Sequence, residues 1–454
     1  MRKIIQYMMM ALIAVVLASC ANDISEESTP TVKSNIRFVV DDFPMFEKPS
    51  TRTIGEEDKG KTAWAVGDEI CVKLESKELG TQTATLKYNG VKFEIQDGNS
   101  LCYLEGEPVT AYAYYAPNRR WRNGSLDFKD IFGNPNGTAE FLEATCTVHY
   151  GDNTYVDISF ANATRNYSRL RIATIPKTEI RVDADNFAPT DNPNLLDMTY
   201  TLTSDEKGNA YLYGTFDNNS IVTVKYRGAT LATHKFSKKT ENAKSYALDA
   251  TVISANSAKE IYSAIKQEVA NSKTAIRLNL ASDAGDNEFN AIREAFENVR
   301  GYGTIDLTLI GCKEIPVNGL YRIMALKSIT LPDVTKIRMD ALSSCLYLQE
   351  ICAPNVSAID EYAFGKCRYL KKVTLGKLTD VRGEANSRSG IFDDINDLYP
   401  DIDLYLPKNQ EVMEFDENSK QYIWKPTGEN YFAIPDSDNG IFLGYQFKSV
   451  KSWE

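Results

Sequence analysis

Along the last third of the chain, apolar residues return every 22 positions. Leu326, Leu348 and Leu370 form one column, and Ile329, Ile351 and Val373 form a second. Leu331, Ala353 and Leu375 form a third, Val334, Val356 and Leu378 a fourth, and Ile337, Ile359 and Val381 a fifth. Leu342 matches Phe364, and Cys345 matches Cys367. Upstream, Leu307, Leu309, Cys312, Ile315 and Leu320 fall in the same columns. The letters between them vary freely. This pattern predicts a coil of stacked turns, each a short strand, a corner and a return segment. No turn buries its apolar side alone, so each depends on its neighbours. Weaker flanks extend the pattern over about 275–407, broken after Val381 by the insertion RGEANSRSG; Asp403–Pro407 reads as a further rung. With Ile329 and Leu331 inward, Ser328 and Thr330 face outward. The same alternation places Asp306, Thr308, Glu350, Cys352, Lys372, Thr374 and Tyr405 on that outer face, which makes these nine residues the candidate ligand face.

Ahead of the repeats the period changes to two. Ile70-Cys71-Val72-Lys73-Leu74, Tyr155 to Phe160, Leu170-Arg171-Ile172 and Ile221 to Tyr226 alternate apolar and polar residues. Alternation means one buried and one wet face. Asn89-Gly90, Asp97-Gly98, Asn123-Gly124 and Asn136-Gly137 supply hairpin signals. Many short strands with such turns predict β-sandwiches, and the length of 36–252 predicts two, dividing near Glu143. Two helices follow. Ser257 with Glu260 fits a capping box before Ile261, Ile265 and Val269. Residues 287–300 carry Phe289, Ile292, Phe296 and Val299 on one side. The expected fold is mainly β with some α. The aromatic-rich tail, with Tyr422, Trp424, Tyr431, Phe432 and Tyr445, is expected to cover the open end of the coil.

Charge and chemistry narrow the function. The 454-residue chain carries a formal net charge of −11. Such a surface repels nucleic acid at long range, so nucleic acid is not expected as a partner. Only two histidines occur, His149 and His234, and both sit in strand-like runs. No nucleophile elbow, metalloprotease helix or C-x-x-C appears, so neither an enzyme, a metal nor a cofactor is expected. Asp393 to Asp397 lacks the glycine and closing glutamate of a calcium loop and reads as a solvated acidic turn. After Cys20 seven cysteines remain, an odd number. Cys345 and Cys367 read as packed free thiols. Cys352 faces outward and is the thiol expected to react, if any does.

The N-terminus is an address. Arg2 and Lys3 precede an apolar run from Ile4 to Leu17, too short to span a membrane. It ends in Leu17-Ala18-Ser19-Cys20, which resembles a bacterial lipobox. The resemblance implies acylation of Cys20 and an anchored ectodomain. Ser25-Glu26-Glu27 resembles the acidic export signal of Bacteroides-type surface lipoproteins. Thr51-Arg52-Thr53 followed by Trp64-Ala65-Val66-Gly67-Asp68-Glu69-Ile70, and later Val109 to Pro117, resemble fimbrillin-like lipoproteins. These are built of two transthyretin-like β-sandwiches. The repeat L-x-x-[IV]-x-[LA] with I-x-x-x-[AL]-[FL]-x-x-C-x-x-L resembles the leucine-rich repeats of the BspA type, found on bacterial surface proteins.

The expected layout is therefore a signal peptide over 1–20, a tether over 21–34 and a first β-sandwich over 35–143. A second spans 144–255, a helix-capped leucine-rich-repeat solenoid 256–407 and a cap 408–454. The resemblance implies a surface-exposed, outer-membrane lipoprotein that adheres to a host or extracellular-matrix protein. One alternative is a fimbrial tip or accessory subunit. There, cleavage after Arg52 removes Ile36–Val40 and opens a groove for a strand of another subunit. A second alternative is a glycan-binding lipoprotein.

Overall fold

The computed structural model describes residues 31–453, apart from 35, 50–58, 97–100, 118–119, 123–124, 128–135, 162–164, 191–193, 195–196, 298, 300, 384–389, 393–400, 411–412, 417, 425–436, 439 and 444. The signal segment with Cys20, most of the tether, Arg52 and Asp393–Asp397 lie outside the described residues. The chain is mainly β, with two helices among the described residues.

The first unit uses β1 (Val32–Lys33), β2 (Arg37–Val40), β3 (Glu69–Ser76), β4 (Gly80–Tyr88), β5 (Phe93–Ile95), β6 (Tyr103–Leu104), β7 (Thr110–Tyr115), β8 (Arg120–Arg122), β9 (Ser125–Asp127), β10 (Leu142–His149) and β11 (Tyr155–Ile158). Seven of them form a sheet in the order β2-β11-β10-β7-β3-β4-β5. β2 runs parallel to β11, and the other pairings are antiparallel. The alternation seen in sequence sends Ile70, Val72 and Leu74 of β3 into the core. The Trp64–Asp68 stretch has a local cause. Gly67 takes φ 96°, and the Asp68 carboxylate accepts the Ala65 amide at 2.6 Å. This turn drops Trp64 edge-on against Phe43, Phe93 and Tyr115, with centroids 4.9, 5.0 and 5.3 Å away.

The division expected at Glu143 is corrected. Glu143 lies inside β10, which pairs with β7 on one side and β11 on the other. Cutting there would strip β11 and β2 from the sheet. The first unit closes at Phe160, which is buried in the same core.

The second unit comprises β12 (Ser168–Ala173), β13 (Glu179–Pro189), β14 (Met198–Thr203), β15 (Asn209–Tyr226), β16 (Ala229–Lys235) and β17 (Ser245–Asp249). Its spine is the 18-residue β15. The first half of β15 pairs with β12, the second half with β16, and β13 follows both halves. The register of β13 on β15 shifts between Asp185 and Phe187, and within that gap Asn186 takes φ 53° and Asn219 of β15 takes φ 67°. Asparagine tolerates this left-handed backbone better than most residues. At Gly214 a Cβ would lie 2.3 Å from the Ala188 carbonyl oxygen, so close strand approach excludes any side chain.

A buried ion pair joins the two units. Arg165 and Glu140 are side-chain neighbours with 0% and 7% exposure. Arg165 also donates to the Pro44 carbonyl at 2.9 Å and stacks over Phe46 at 3.9 Å. Burial pushes the Glu140 carboxyl above its ordinary value, against the pull of Arg165. The Pro44–Glu47 segment continues onto the second unit. The Glu47 amide bonds to the Ala243 carbonyl, and the Glu47 carbonyl accepts the Ser245 amide, both at 3.0 Å.

The third unit starts with β18 (Ile253–Ser254), α1 (Ala258–Ala270), β19 (Ala275–Asn279) and α2 (Asp286–Phe296). Ser257 caps α1 by accepting the Glu260 amide, and Glu260 returns a bond to the Asn256 amide. The ladder follows as β20 (Ile305–Ile310), β21 (Glu314–Ile315), β22 (Leu326–Thr330), β23 (Lys336–Ile337), β24 (Glu350–Ala353), β25 (Ala358–Ile359), β26 (Lys372–Leu375), β27 (Asp380–Arg382) and β28 (Asp403–Pro407). Two parallel sheets result. One runs β18-β19-β20-β22-β24-β26-β28 and the other β21-β23-β25-β27. Ile329 pairs with Ile351 and Ile351 with Val373, each 22 residues on. Leu326, Leu348 and Leu370 are buried in one continuous core.

Each turn closes with two left-handed residues in columns of the same period. Asn318, Asp340 and Tyr362 have φ of 57, 55 and 54°, and Arg322, Ser344 and Lys366 have φ of 63, 60 and 60°. The cysteine column is bonded as well as packed. The Cys345 thiol donates to the Leu320 carbonyl at 3.1 Å, and the Cys367 thiol to the Leu342 carbonyl at 3.2 Å.

The tail adds β29 (Met413–Asp416), β30 (Gln421–Trp424), β31 (Ser437–Asp438), β32 (Ile441–Phe442), β33 (Tyr445–Gln446) and β34 (Ser449–Trp453). β34 joins β28 in parallel as one more rung, and antiparallel β31 covers it. β30 closes the second sheet antiparallel to β27.

Two measurements check this fold. Arg165→Met leaves Glu140 buried without its cation and is expected to cost about 3–5 kcal/mol in denaturant unfolding. Adding Glu140→Gln to that variant restores most of the loss; no recovery would mean that Arg165 acts through packing alone. Burial raises the Cys352 thiol to about 11 and the Cys345 thiol to about 12. In the folded protein at pH 8 a thiol reagent therefore modifies Cys352 slowly, yet before Cys345, and the Cys352 rate climbs as pH approaches about 11. Modification of Cys345 first would refute the register.

Candidate ligand-binding face

Strand register sets two outward columns on the main ladder. One reads Asp306, Ser328, Glu350, Lys372, Asp403 and Ser449. The other reads Arg277, Thr308, Thr330, Cys352, Thr374, Tyr405 and Lys451. All nine expected residues thus fall in two files on one sheet. Sequence reading missed Arg277, Asp403, Ser449 and Lys451, because the period is broken before β20 and after β27.

Polar groups along the first column bond from rung to rung. Ser328 Oγ donates to Asp306 Oδ1 at 2.6 Å, and Lys372 Nζ donates to Glu350 Oε1 at 2.6 Å. Ser449 Oγ donates to Asp403 Oδ1 at 2.6 Å. Burial works against the Lys372 ammonium, but the Glu350 carboxylate outweighs it and holds Lys372 above its ordinary value. The Ser449 hydroxyl, helped by Lys448, holds the Asp403 carboxyl below its ordinary value. Lys372 Nζ also lies 5.6 Å from the Tyr405 ring centroid, within cation–π reach. The middle rungs therefore present a stiff surface of alternating charge beside a file of hydroxyl, thiol and phenol groups.

One expected member is corrected. Thr308 is 7% exposed and does not face solvent. Its register partner Arg277 donates to the Leu231 carbonyl of β16 at 2.8 Å. The second β unit sits over this corner. Ile310, at the end of β20, belongs to the apolar core of that unit. The β15–β16 turn is held to the ladder as well. Arg227 pairs with the buried Asp333 carboxylate, whose other oxygen accepts the Gly311 amide at 2.9 Å. Asn355 Nδ2 donates to the Arg227 carbonyl at 3.2 Å and to the Pro332 carbonyl at 2.7 Å. The open part of the face therefore runs from β22 to β34.

Cys352 faces outward as its register requires but is half-buried, and burial raises its thiol pKa, so its reaction with a thiol reagent is slow. The histidines are packed against rings. His149 stacks on Tyr155 at 4.4 Å, and His234 meets Phe236 edge-on at 4.6 Å.

No curated protein matches the chain. Among solved structures, a Bacteroides fragilis protein provisionally named as a cell adhesion protein is similar at 10% identity with a TM-score of 0.22. The match covers 48% of this chain and 92% of that one. The shaft pilin SpaA of Lactobacillus rhamnosus GG is similar at 12% identity with a TM-score of 0.18, over 46% of this chain and 94% of that one. The family model described as the BspA type leucine rich repeat region matches residues 290–392 in six copies. That stretch runs from α2 through β27, so the match falls on the 22-residue ladder.

Proposed function

We propose that the chain is a cell-surface lipoprotein that adheres to a protein ligand through the open part of the main ladder face. In this reading Cys20 carries the lipid that anchors it to the outer membrane. Two transthyretin-like β-sandwiches lift a leucine-rich-repeat solenoid outward, and the ligand is a host or extracellular-matrix protein. The observation that carries the reading is the file Ser328–Glu350–Lys372 beside Thr330–Cys352–Thr374–Tyr405. Its side chains are half-buried or exposed on strands pinned by parallel pairing on both sides. Such a surface is already ordered, so a ligand meets it at low entropic cost. Alternating charge sets partner choice and orientation.

A second reading is favoured by one observation. β2 is the edge strand of its sheet, and beyond it Phe43 and Phe46 are 4% and 3% exposed. Removal of the segment up to Arg52 would leave an open strand edge and two apolar holes. A strand from another subunit could fill them, as in a fimbrial tip or accessory subunit.

One experiment separates the readings. The lipid-free chain is tested on immobilised matrix proteins before and after treatment with an arginine-specific protease. Adhesion predicts saturable binding by the uncut chain. Lys372→Ala with Tyr405→Ala is expected to weaken it about tenfold or more, as for central contacts of an interface. Thr308→Ala leaves it unchanged. Clean cleavage at Arg52 followed by oligomers, without matrix binding by the uncut chain, would replace the adhesin reading with the fimbrial one.

A further inference from the structure

Where the strands of the main ladder begin, three tyrosines stack face to face. Tyr302 and Tyr347 lie 4.9 Å apart and Tyr347 and Tyr369 5.4 Å apart, with 8° between the planes of each pair. Tyr347 and Tyr369 are one repeat apart, so their stacking follows from the coil. Tyr302 does not. The column position one repeat before Tyr347 is Ala325, which is buried. The third ring is delivered by the loop Gly301-Tyr302-Gly303, whose glycines take φ 104° and 60°. The Gly303 amide bonds to the Met324 carbonyl at 3.0 Å. A Cβ on Gly303 would lie 3.1 Å from Cβ of Tyr347, so the close approach leaves little room for another residue. The loop leaves Tyr302 66% exposed and Tyr369 54% exposed. Among the described residues, no second ring covers the other face of Tyr302.

Charge around this ridge opposes the rest of the molecule. Arg368 precedes Tyr369 directly, and Lys371 follows it by two residues. At the other end, Arg322 lies two residues before Met324, on which the Tyr302 loop hangs. All three cations are exposed, and among the described residues none has a carboxylate within ion-pair distance. The acidic side chains on the adjoining strands are engaged elsewhere. Asp306 accepts from Ser328 and Glu350 from Lys372. Three unpaired cations beside an exposed aromatic stack are unexpected in a chain of net charge −11.

We infer that this tyrosine ridge with Arg322, Arg368 and Lys371 is a binding site for an anionic polysaccharide whose sugar rings carry carboxylates. The C–H face of a sugar ring suits the open, electron-rich face of Tyr302. Guanidinium groups suit carboxylates through paired hydrogen bonds. An acidic peptide fits less well, because the ridge lies at strand beginnings and offers no free strand edge for backbone pairing. The inference rests on the ridge and its cations and does not depend on the adhesin reading.

The test uses the lipid-free chain at physiological ionic strength with three probes: an oligogalacturonate, a neutral oligogalactan of equal length and poly-glutamate. The oligogalacturonate is expected to bind saturably and the oligogalactan not. Tyr302→Ala should weaken binding about tenfold, an amount typical of one stacked ring. Arg368→Gln with Lys371→Gln should weaken it at least as much and flatten its salt dependence. These side chains are exposed, so unchanged thermal unfolding of each variant shows that the fold is intact. Lack of oligogalacturonate binding would overturn the proposal. So would equal binding of the neutral glycan, or binding of poly-glutamate at the same strength with no response to Tyr302→Ala, which would reveal a generic anion patch.

Discussion

Rung-to-rung pairing at a fixed count of 22 residues is the constraint on which the C-terminal half depends. Parallel strands bond only to neighbours one turn away, so each turn must return to the same height with the same side chains inward. The two left-handed residues in each turn follow from this. They reverse the return segment within a few residues, and they recur wherever the count is kept. Where the count slips, the extra residue is absorbed locally. Between β20 and β22 the register shifts by one at Lys327, which bulges while Ile329 regains its column. The longer insertion after Val381 begins at Arg382, the last residue of β27.

Much of this was legible because burial imposes a period. Leu326, Leu348 and Leu370 could be placed without coordinates, since no other arrangement explains their spacing. The helix cap at Ser257 was legible for a local reason, the return bond from Glu260. What escaped depends on contacts distant in sequence. Thr308 has the alternation of a solvent-facing residue but is buried, and its register partner Arg277 is bonded to Leu231 of β16, some seventy positions before Thr308. Alternation cannot report which sheet a strand joins, so β10 looked like the start of a new unit. Tyr302 escaped because it lies outside the repeat register and reaches the stack only through Gly301 and Gly303. The pattern G-Y-G ahead of a strand was the available signal.

The second sheet shows the same logic in its electrostatics. Glu314, Arg338, Asp360 and Arg382 alternate in sign from rung to rung, with successive separations of 3.4, 3.4 and 3.6 Å. A stack that repeats its backbone would repeat its charges too, and like charges one rung apart repel. Alternation removes that penalty, while Thr335, Ser357 and Thr379 each bond to the carbonyl one rung back. Asp333 holds a different place. It fixes the ladder corner and the β15–β16 turn together, so one carboxylate serves both units.

The strap from Pro44 to Glu47 has a mechanical consequence. Tension entering at the N-terminal strand and leaving through the C-terminal units would pull β2 and β11 in opposite directions along their length, because the two are parallel. Their hydrogen bonds then share the load in shear instead of parting one at a time like a zip. Beyond β2 the strap hands part of that load to Ala243 and Ser245 without routing it through the rest of the first sheet. A molecule held at one end and gripped at the other would thus yield last along the line joining its two β units.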